Sequence, residues 1–451
     1  MVEGPLLIFI FIAAVLFIII STSVIKLHPF LSLLLASFGI GIAVRMPLNL
    51  IVRTINQGFG QIMVYIGLVI VLGTIIGTIL DKSGGALKIA DVILKLFGKK
   101  RPALAMSIIG AIVSIPVFCD SGFVILSSLN RAVSKRSNIS LATLTIALSS
   151  GLYATHTLVP PTPGPIAAAG NIGASNFLGT IIWIGLLTSI PAIFVGYKWA
   201  KYIGKKIKIN EDKRLVDISD TLNGITNLPS TLKSFGPIVL PIVLIAIAST
   251  LKLLEVSGKM TEFMIFIGSP LVALLLGTAW AFTLFPKFDE KHISGWIGKG
   301  LSLSGPILLI TGAGGAFGSI LKATPMTDFL DSITSGVNYS GVVIIIVAFI
   351  VASALKISQG SSTAALVITS SMLSPFLISS NLDTPIALAL VVMAIGGGAM
   401  TVSHANDSYF WVVTQFSGLN VKDSYRSFTM VTLFQGITVL VTTISLYYFL
   451  L

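Results

Sequence analysis

Four polar interruptions fall inside apolar stretches long enough to cross a bilayer. Residues 149–165 read S-S-G-L-Y-A-T-H-T-L-V-P-P-T-P-G-P and residues 396–408 read G-G-G-A-M-T-V-S-H-A-N-D-S, one histidine-bearing break in each half of the chain. A shorter interruption precedes each of them, P-V-F-C-D-S-G at 116–122 and K-I-S-Q-G-S-S-T at 356–363. Polar groups and broken helix at membrane depth are costly unless they line a site. A chain that carries them twice per half is organised around such a site.

Composition sets the class. Of 451 residues, 54% are hydrophobic and 10% charged, against about a quarter charged in a soluble domain. The chain therefore reads as an all-α polytopic membrane protein. The net charge of +12 does not indicate nucleic acid, because Lys and Arg gather in short loops between apolar segments, as the positive-inside rule expects. The lone Cys119 excludes an intramolecular disulfide. The stretch from Leu6 to Ile20 lacks a basic lead-in and a small-residue cleavage site, and reads as a retained span.

Loop charge then orders the segments. Residues 82–101 hold six basic residues and 131–138 hold three; both loops are expected in the cytoplasm. Residues 102–129 must then leave and return on one side, as a re-entrant hairpin with its tip at 118–122. Residues 139–172 cross outward, broken at the proline run, and 177–197 return. The polar stretch 198–233 reads as a cytoplasmic linker between a first repeat, 1–197, and a second, 234–451. In the second, a hairpin at 340–378 enters from the opposite side and 385–413 is the broken span. This is an inverted-topology repeat with two re-entrant hairpins and two broken helices, the layout of many secondary transporters. Residues 84–98, with Lys88, Asp91 and Lys95 on one side, read as an amphipathic helix along the cytoplasmic interface.

Asp120, beside Ser121 at the first tip, is a carboxylate at membrane depth, where proton carriage or cation ligation is the usual role; the plainer alternative is a turn in a water-filled vestibule. His156 stands between Thr155 and Thr157, ahead of four prolines interleaved with Thr162 and Gly164. The prolines end the helix and free carbonyls for a substrate hydroxyl or an ion, although a packed histidine fits as well. Lys356 precedes Ser358, Gln359, Gly360, Ser361, Ser362 and Thr363. The helix that opens there offers unpaired N–H groups to an anion. Lys356 either adds a countercharge or snorkels to the interface. Ser403, His404, Asn406, Asp407 and Ser408 form the densest cluster, with the donors and acceptors that a polyhydroxylated acid requires. His404 and Asp407, like Asp120 and His156, are proton-relay candidates. The glycines at 396–398 suit close helix approach or a moving joint. No cofactor and no metal is expected.

At these four motifs the chain resembles the gluconate permease family, the gluconate:proton symporters. The likeness is carried by the segments 116–123 (P-V-F-C-D-S-G-F), 156–165 (H-T-L-V-P-P-T-P-G-P), 359–363 (Q-G-S-S-T) and 403–411 (S-H-A-N-D-S-Y-F-W), and the repeat layout extends it over nearly the whole chain. The resemblance implies import of gluconate or a related small organic acid by proton symport across the cytoplasmic membrane, without enzymatic activity. Members of the family also carry D-serine and other small hydroxy or amino acids. This chain departs from common members with Cys119 where a bulkier residue is frequent and Lys356 where arginine is frequent. Lysine lacks the fork that grips a carboxylate with two bonds.

The same oxygens would serve a sodium ion as well as a proton. Two readings come from other classes: a channel formed where two hairpins meet, and an intramembrane hydrolase using His156, His404 and Asp407. Titratable groups and inverted halves favour alternating access over a pore. Neither histidine has a second one turn away to build a zinc site. The expected partners are the organic anion, protons and lipid; a homo-oligomer is left open.

Overall fold

The computed structural model describes residues 2, 4, 6–98, 101–207, 209, 228–253, 258–325, 341–377, 382–404 and 407–451. Asn406 and most of the expected linker lie outside the described residues. Among those described, all regular structure is helical. The first half runs α1 (Leu6–Ser23), α2 (Pro29–Ala43), α3 (Leu48–Ile62), α4 (Leu68–Lys82), α5 (Gly85–Ile93), α6 (Pro102–Val113), α7 (Cys119–Ser137), α8 (Leu141–Leu158), α9 (Pro163–Asn171) and α10 (Leu178–Ile203). The second runs α11 (Thr231–Leu253), α12 (Lys259–Ile267), α13 (Pro270–Ala281), α14 (Glu290–Lys322), α15 (Gly341–Gln359), α16 (Ser362–Leu373), α17 (Pro385–Met400), α18 (Ser408–Ser417) and α19 (Met430–Leu450). Among the described residues four helices are long and apolar enough to cross a bilayer outright, Ser175–Ile203, Thr231–Ala248, His292–Lys322 and Val421–Leu450.

Each interruption is a place where one helix stops and another starts, but two limits differ from expectation. In the first hairpin the turn occupies residues 114–118, and Asp120 to Gly122 already belong to the first turn of α7. An acidic residue is favourable there, against the positive end of the helix dipole. That helix also continues to Ser137, eight residues past the apolar stretch, because helix formation requires backbone bonds and not apolar side chains. For the same reason α3 is a full helix although its mean hydropathy is low. It buries one stripe, Ile51, Thr54, Ile55, Gly58 and Ile62, at three- and four-residue spacing. In the second hairpin the break is only residues 360–361, with Gly360 at φ +78°. Lys356 and Gln359 are thus helical, in the last turn of α15. On α5 and the π-helical turn that continues it (Leu94–Gly98), the Lys88, Asp91 and Lys95 side chains do meet: Asp91 Oδ2 lies 3.4 Å from Lys88 Nζ and 2.9 Å from Lys95 Nζ.

The two halves pack reciprocally. Helix α6 lies along α8, as α15 lies along α17; α7 rests on α8 and α16 on α17. The partners then cross over, with α9 packed on α16 and α18 on α7. Lipid supplies no hydrophobic drive between helices, so small residues that admit close backbones do much of the joining. On α6, a Cβ at Gly110 would stand 2.5 Å from the Leu148 carbonyl of α8. The glycines at 396–398 each serve a different neighbour. Gly396 faces the Thr157 carbonyl of α8, Gly397 faces Val439 of α19, and Gly398 faces Phe349 and Ser353 of α15. Successive residues turn about 100° around a helix, so this triplet lets three helices approach α17 at once.

Candidate transport site

The site is built from the two breaks of the second half and the aromatic side chains that close on them. Asp407 is the N-cap of α18, where a short acceptor side chain satisfies an orphan N–H: its Oδ1 accepts the Tyr409 N–H at 3.0 Å. Its Oδ2 receives the Lys356 ammonium at 2.6 Å and the Ser403 hydroxyl. Lys356 donates also to the Gly360 carbonyl at 2.9 Å and stands 5.7 Å from the centre of the Tyr153 ring. Both charges are inside the protein, Lys356 at 1% exposure and Asp407 at 4%. The ammonium therefore does not snorkel outward. A buried charge survives only if it is paired and its remaining hydrogen bonds are met, and this pair satisfies that condition.

Backbone strain accompanies the pair. Val402, in the break after α17, has φ +56°, an outlier for a β-branched residue. The next residue is held on both sides: Ser403 N–H donates to Thr432 Oγ1 at 3.0 Å, and the Thr429 hydroxyl donates to Ser403 O at 2.6 Å. Such clamps are what keep a strained residue in place. Glycine relieves roughly 1–2 kcal/mol of left-handed strain and costs about 0.5–1 kcal/mol in unfolded-chain entropy. Val402→Gly is therefore expected to leave the thermal midpoint unchanged or slightly raised; a clear fall in differential scanning fluorimetry would show that the strain is not there.

Unsatisfied polar atoms surround the pair. Among the described residues, Asp120 Oδ1, His156 Nδ1 and both amide atoms of Gln359 are buried without a hydrogen-bond partner. Asp120 faces Ser408 and lies within electrostatic reach of Asp407 and Lys356, as does His156. The His156 ring is 5.9 Å from that of Phe118. Gln359 is one turn from Lys356 on α15. Buried polar atoms are nearly always paired, so the group of orphans around this charge pair makes it the candidate site.

Other expected site residues are committed to the backbone. Thr155 donates to Ala111 O at 2.8 Å, Thr157 to Tyr153 O at 3.3 Å and Thr162 to Val159 O at 2.6 Å. Ser361 caps α16 by accepting the Ala364 N–H at 3.2 Å. His404 Nε2 lies 2.9 Å from the Ile357 carbonyl. Ser362 is 3.4 Å from the Tyr153 hydroxyl. Ser121 and Thr363 are half-buried and Ser408 is exposed. The breaks thus divide into residues whose side chains bond to backbone and residues whose side chains stay partly or fully exposed.

A profile of GntP family permeases matches residues 6–449. The chain belongs to the GntP permease family. The gluconate permease of Pseudomonas aeruginosa is 32% identical over 409 residues, covering 90% of this chain and 89% of that one. The inner membrane permease YgbN of Escherichia coli is 32% identical over 427 residues, 92% of each chain. Among solved structures, the Alcanivorax borkumensis YdaH transporter superposes with a TM-score of 0.62 over 89% of this chain and 88% of its own, at 14% identity, a likeness of fold. This GntP permease is accordingly a multi-pass transporter of the cytoplasmic membrane and not an enzyme.

One part of the candidate site escapes sequence reasoning, the aromatic wall. Tyr153 and Tyr409 meet at a tilt of 49° with ring centres 5.1 Å apart, and Phe123 and Phe428 close around Tyr409 at 6.3 and 5.2 Å. The Tyr409 hydroxyl donates to the Ser149 carbonyl at 3.0 Å, joining α18 to α8 across the halves. Phenol groups within apolar helix were the available signal, since a buried tyrosine hydroxyl needs a partner.

Proposed function

We propose that this permease imports D-gluconate or a related small hydroxy acid by proton symport, within an inverted repeat whose halves exchange partners. The reciprocal packing of α9 on α16 and of α18 on α7 supports the repeat. The name of the P. aeruginosa relative supports the substrate class. The observation that carries the coupling is the buried Lys356–Asp407 pair at 2.6 Å. In the resting pair, lysine is neutralised by an internal carboxylate. A proton on Asp407 frees the ammonium for a substrate carboxylate, and the proton and the anion together leave the buried net charge unchanged. Either one alone would leave an uncompensated charge, which a buried site disfavours by several kcal/mol. In this reading Asp120 passes the proton, and the unpartnered acceptors and donors on Asp120, His156 and Gln359 take substrate hydroxyls.

The test is uptake of labelled D-gluconate into proteoliposomes with an imposed inward pH gradient. Concentrative uptake that collapses with a protonophore and is indifferent to sodium is the expected result. Uptake that survives the protonophore and requires sodium would sink the proton reading and keep the transporter.

A further inference from the structure

A second polar cavity lies at the far end of α16 from the charge pair. It has a volume of about 230 Å³ and is lined by α3, α9, α14 and α16. Ser371 in its floor is nine residues along α16 from Ser362, a distance of roughly 13 Å at the helical rise. The site described above does not use it.

Three observations make it a built site. Asn171, 7% exposed, donates through Nδ2 to Val367 O and Ser370 Oγ, both at 3.0 Å, while its Oδ1 is buried without a partner among the described residues. The amide orientation is fixed, because a backbone carbonyl only accepts. Lys322, the last residue of α14, lines the same cavity and makes no hydrogen bond or ion pair among the described residues. Among the described residues no carboxylate lines the cavity. Gly314 keeps the floor open, since a Cβ there would stand 2.5 Å from Ser371 Oγ and 3.4 Å from Asn171 Nδ2.

A lysine at a helix C-terminus has an ordinary place on the dipole; an orphaned acceptor below it does not. The combination of one cation and one acceptor, both unpartnered among the described residues, with the Ser371 side chain matches an anion that also carries a hydroxyl. The volume is below the roughly 300 Å³ at which drug-sized pockets begin, which favours a short molecule. We propose that this cavity is a second ligand site of the permease, binding a short hydroxy acid with its carboxylate on Lys322 and a hydroxyl donating to Asn171 Oδ1. The choice of hydroxy acids rests on the transport reading above.

The experiment uses Gln61→Cys, at the cavity rim, in the full chain reconstituted in nanodiscs. Cys119 is buried, so the chain without the substitution is the blank. The rate of modification by a charged methanethiosulfonate is measured with D-gluconate, glycerate, 3-hydroxybutyrate or the neutral xylitol. At least one acid is expected to slow modification threefold or more, with no effect from xylitol. Adding Lys322→Gln is expected to remove the protection and Lys322→Arg to retain it. Protection should persist when Asp407→Asn is added, which separates this cavity from the charge pair. Ser319→Cys serves as a second reporter should Gln61→Cys fold poorly. Uptake is measured in parallel. Transport of one or more acids with protection by none of them overturns the second site, as does protection unaffected by Lys322→Gln. Lys322-dependent protection without transport of any acid upholds the site and removes the transport reading. Neither protection nor transport removes both.

Discussion

Asp407→Asn is expected to lower stability by about 3–5 kcal/mol, the usual cost of stripping one partner from a buried ion pair, and to abolish gradient-driven uptake. Asparagine caps a helix as well as aspartate does, so the bond from the Tyr409 N–H to position 407 survives. What the substitution removes is the charge facing Lys356, which is 1% exposed and has no water to turn to. Adding Lys356→Met should restore most of the lost stability, because replacing a whole buried pair is often neutral or better. Transport should stay lost, because no group remains to exchange a proton for an anion. The two quantities are read on the same preparations, the thermal midpoint of the detergent-solubilised protein and uptake in proteoliposomes. A double variant no more stable than Asp407→Asn would refute the pairing account of stability. A double variant that still concentrates gluconate would remove both residues from the mechanism.

Gly398→Ala is expected to destabilise by about 1–3 kcal/mol, as overpacking does in a well-filled interior. Its Cβ would meet the Phe349 carbonyl, stand 2.7 Å from Ala352 Cβ and lie 3.0 Å from Ser353 N. Two of those atoms are backbone and cannot turn aside, so α15 must move off α17. Because Lys356 is on α15 and Asp407 follows α17, the separation should also weaken the ion pair and reduce uptake. Gly60→Ala is the matched control: nothing lies within 4 Å of its Cβ, and alanine is the better helix former by about 1 kcal/mol. It should leave the midpoint unchanged or raised. Equal effects of the two changes would show that helix propensity, and not close approach, decides at Gly398.

Much of this was legible in the chain. The apolar lengths predict helices and the polar interruptions predict where they stop, because a stop at membrane depth requires polar side chains to satisfy freed backbone groups. All four interruptions do separate helices. The limits were less legible. The ends of α7 and α14 and the whole of α3 are polar enough to look like loop; α3 is anchored by its buried stripe, and in all three the backbone bonds carry the helix on without an apolar run. Among the site residues, Asp407 and Lys356 stood out as charges in apolar surroundings. Their pairing did not, being a bond across 51 positions. The Tyr153–Tyr409 wall was invisible for the same reason, as was the division of the threonines and serines into those that bond backbone and those that stay exposed.

By itself, then, the sequence determined the class, the breaks and the residue types gathered at them, since each follows from the cost of placing polar groups in lipid. Only the tertiary structure decided which charge meets which, that Lys356 points inward, and that the three successive glycines each seat a different helix. Those outcomes depend on how far apart helices stand when packed, and separation is set by side chains on both partners at once, which no stretch of one helix contains.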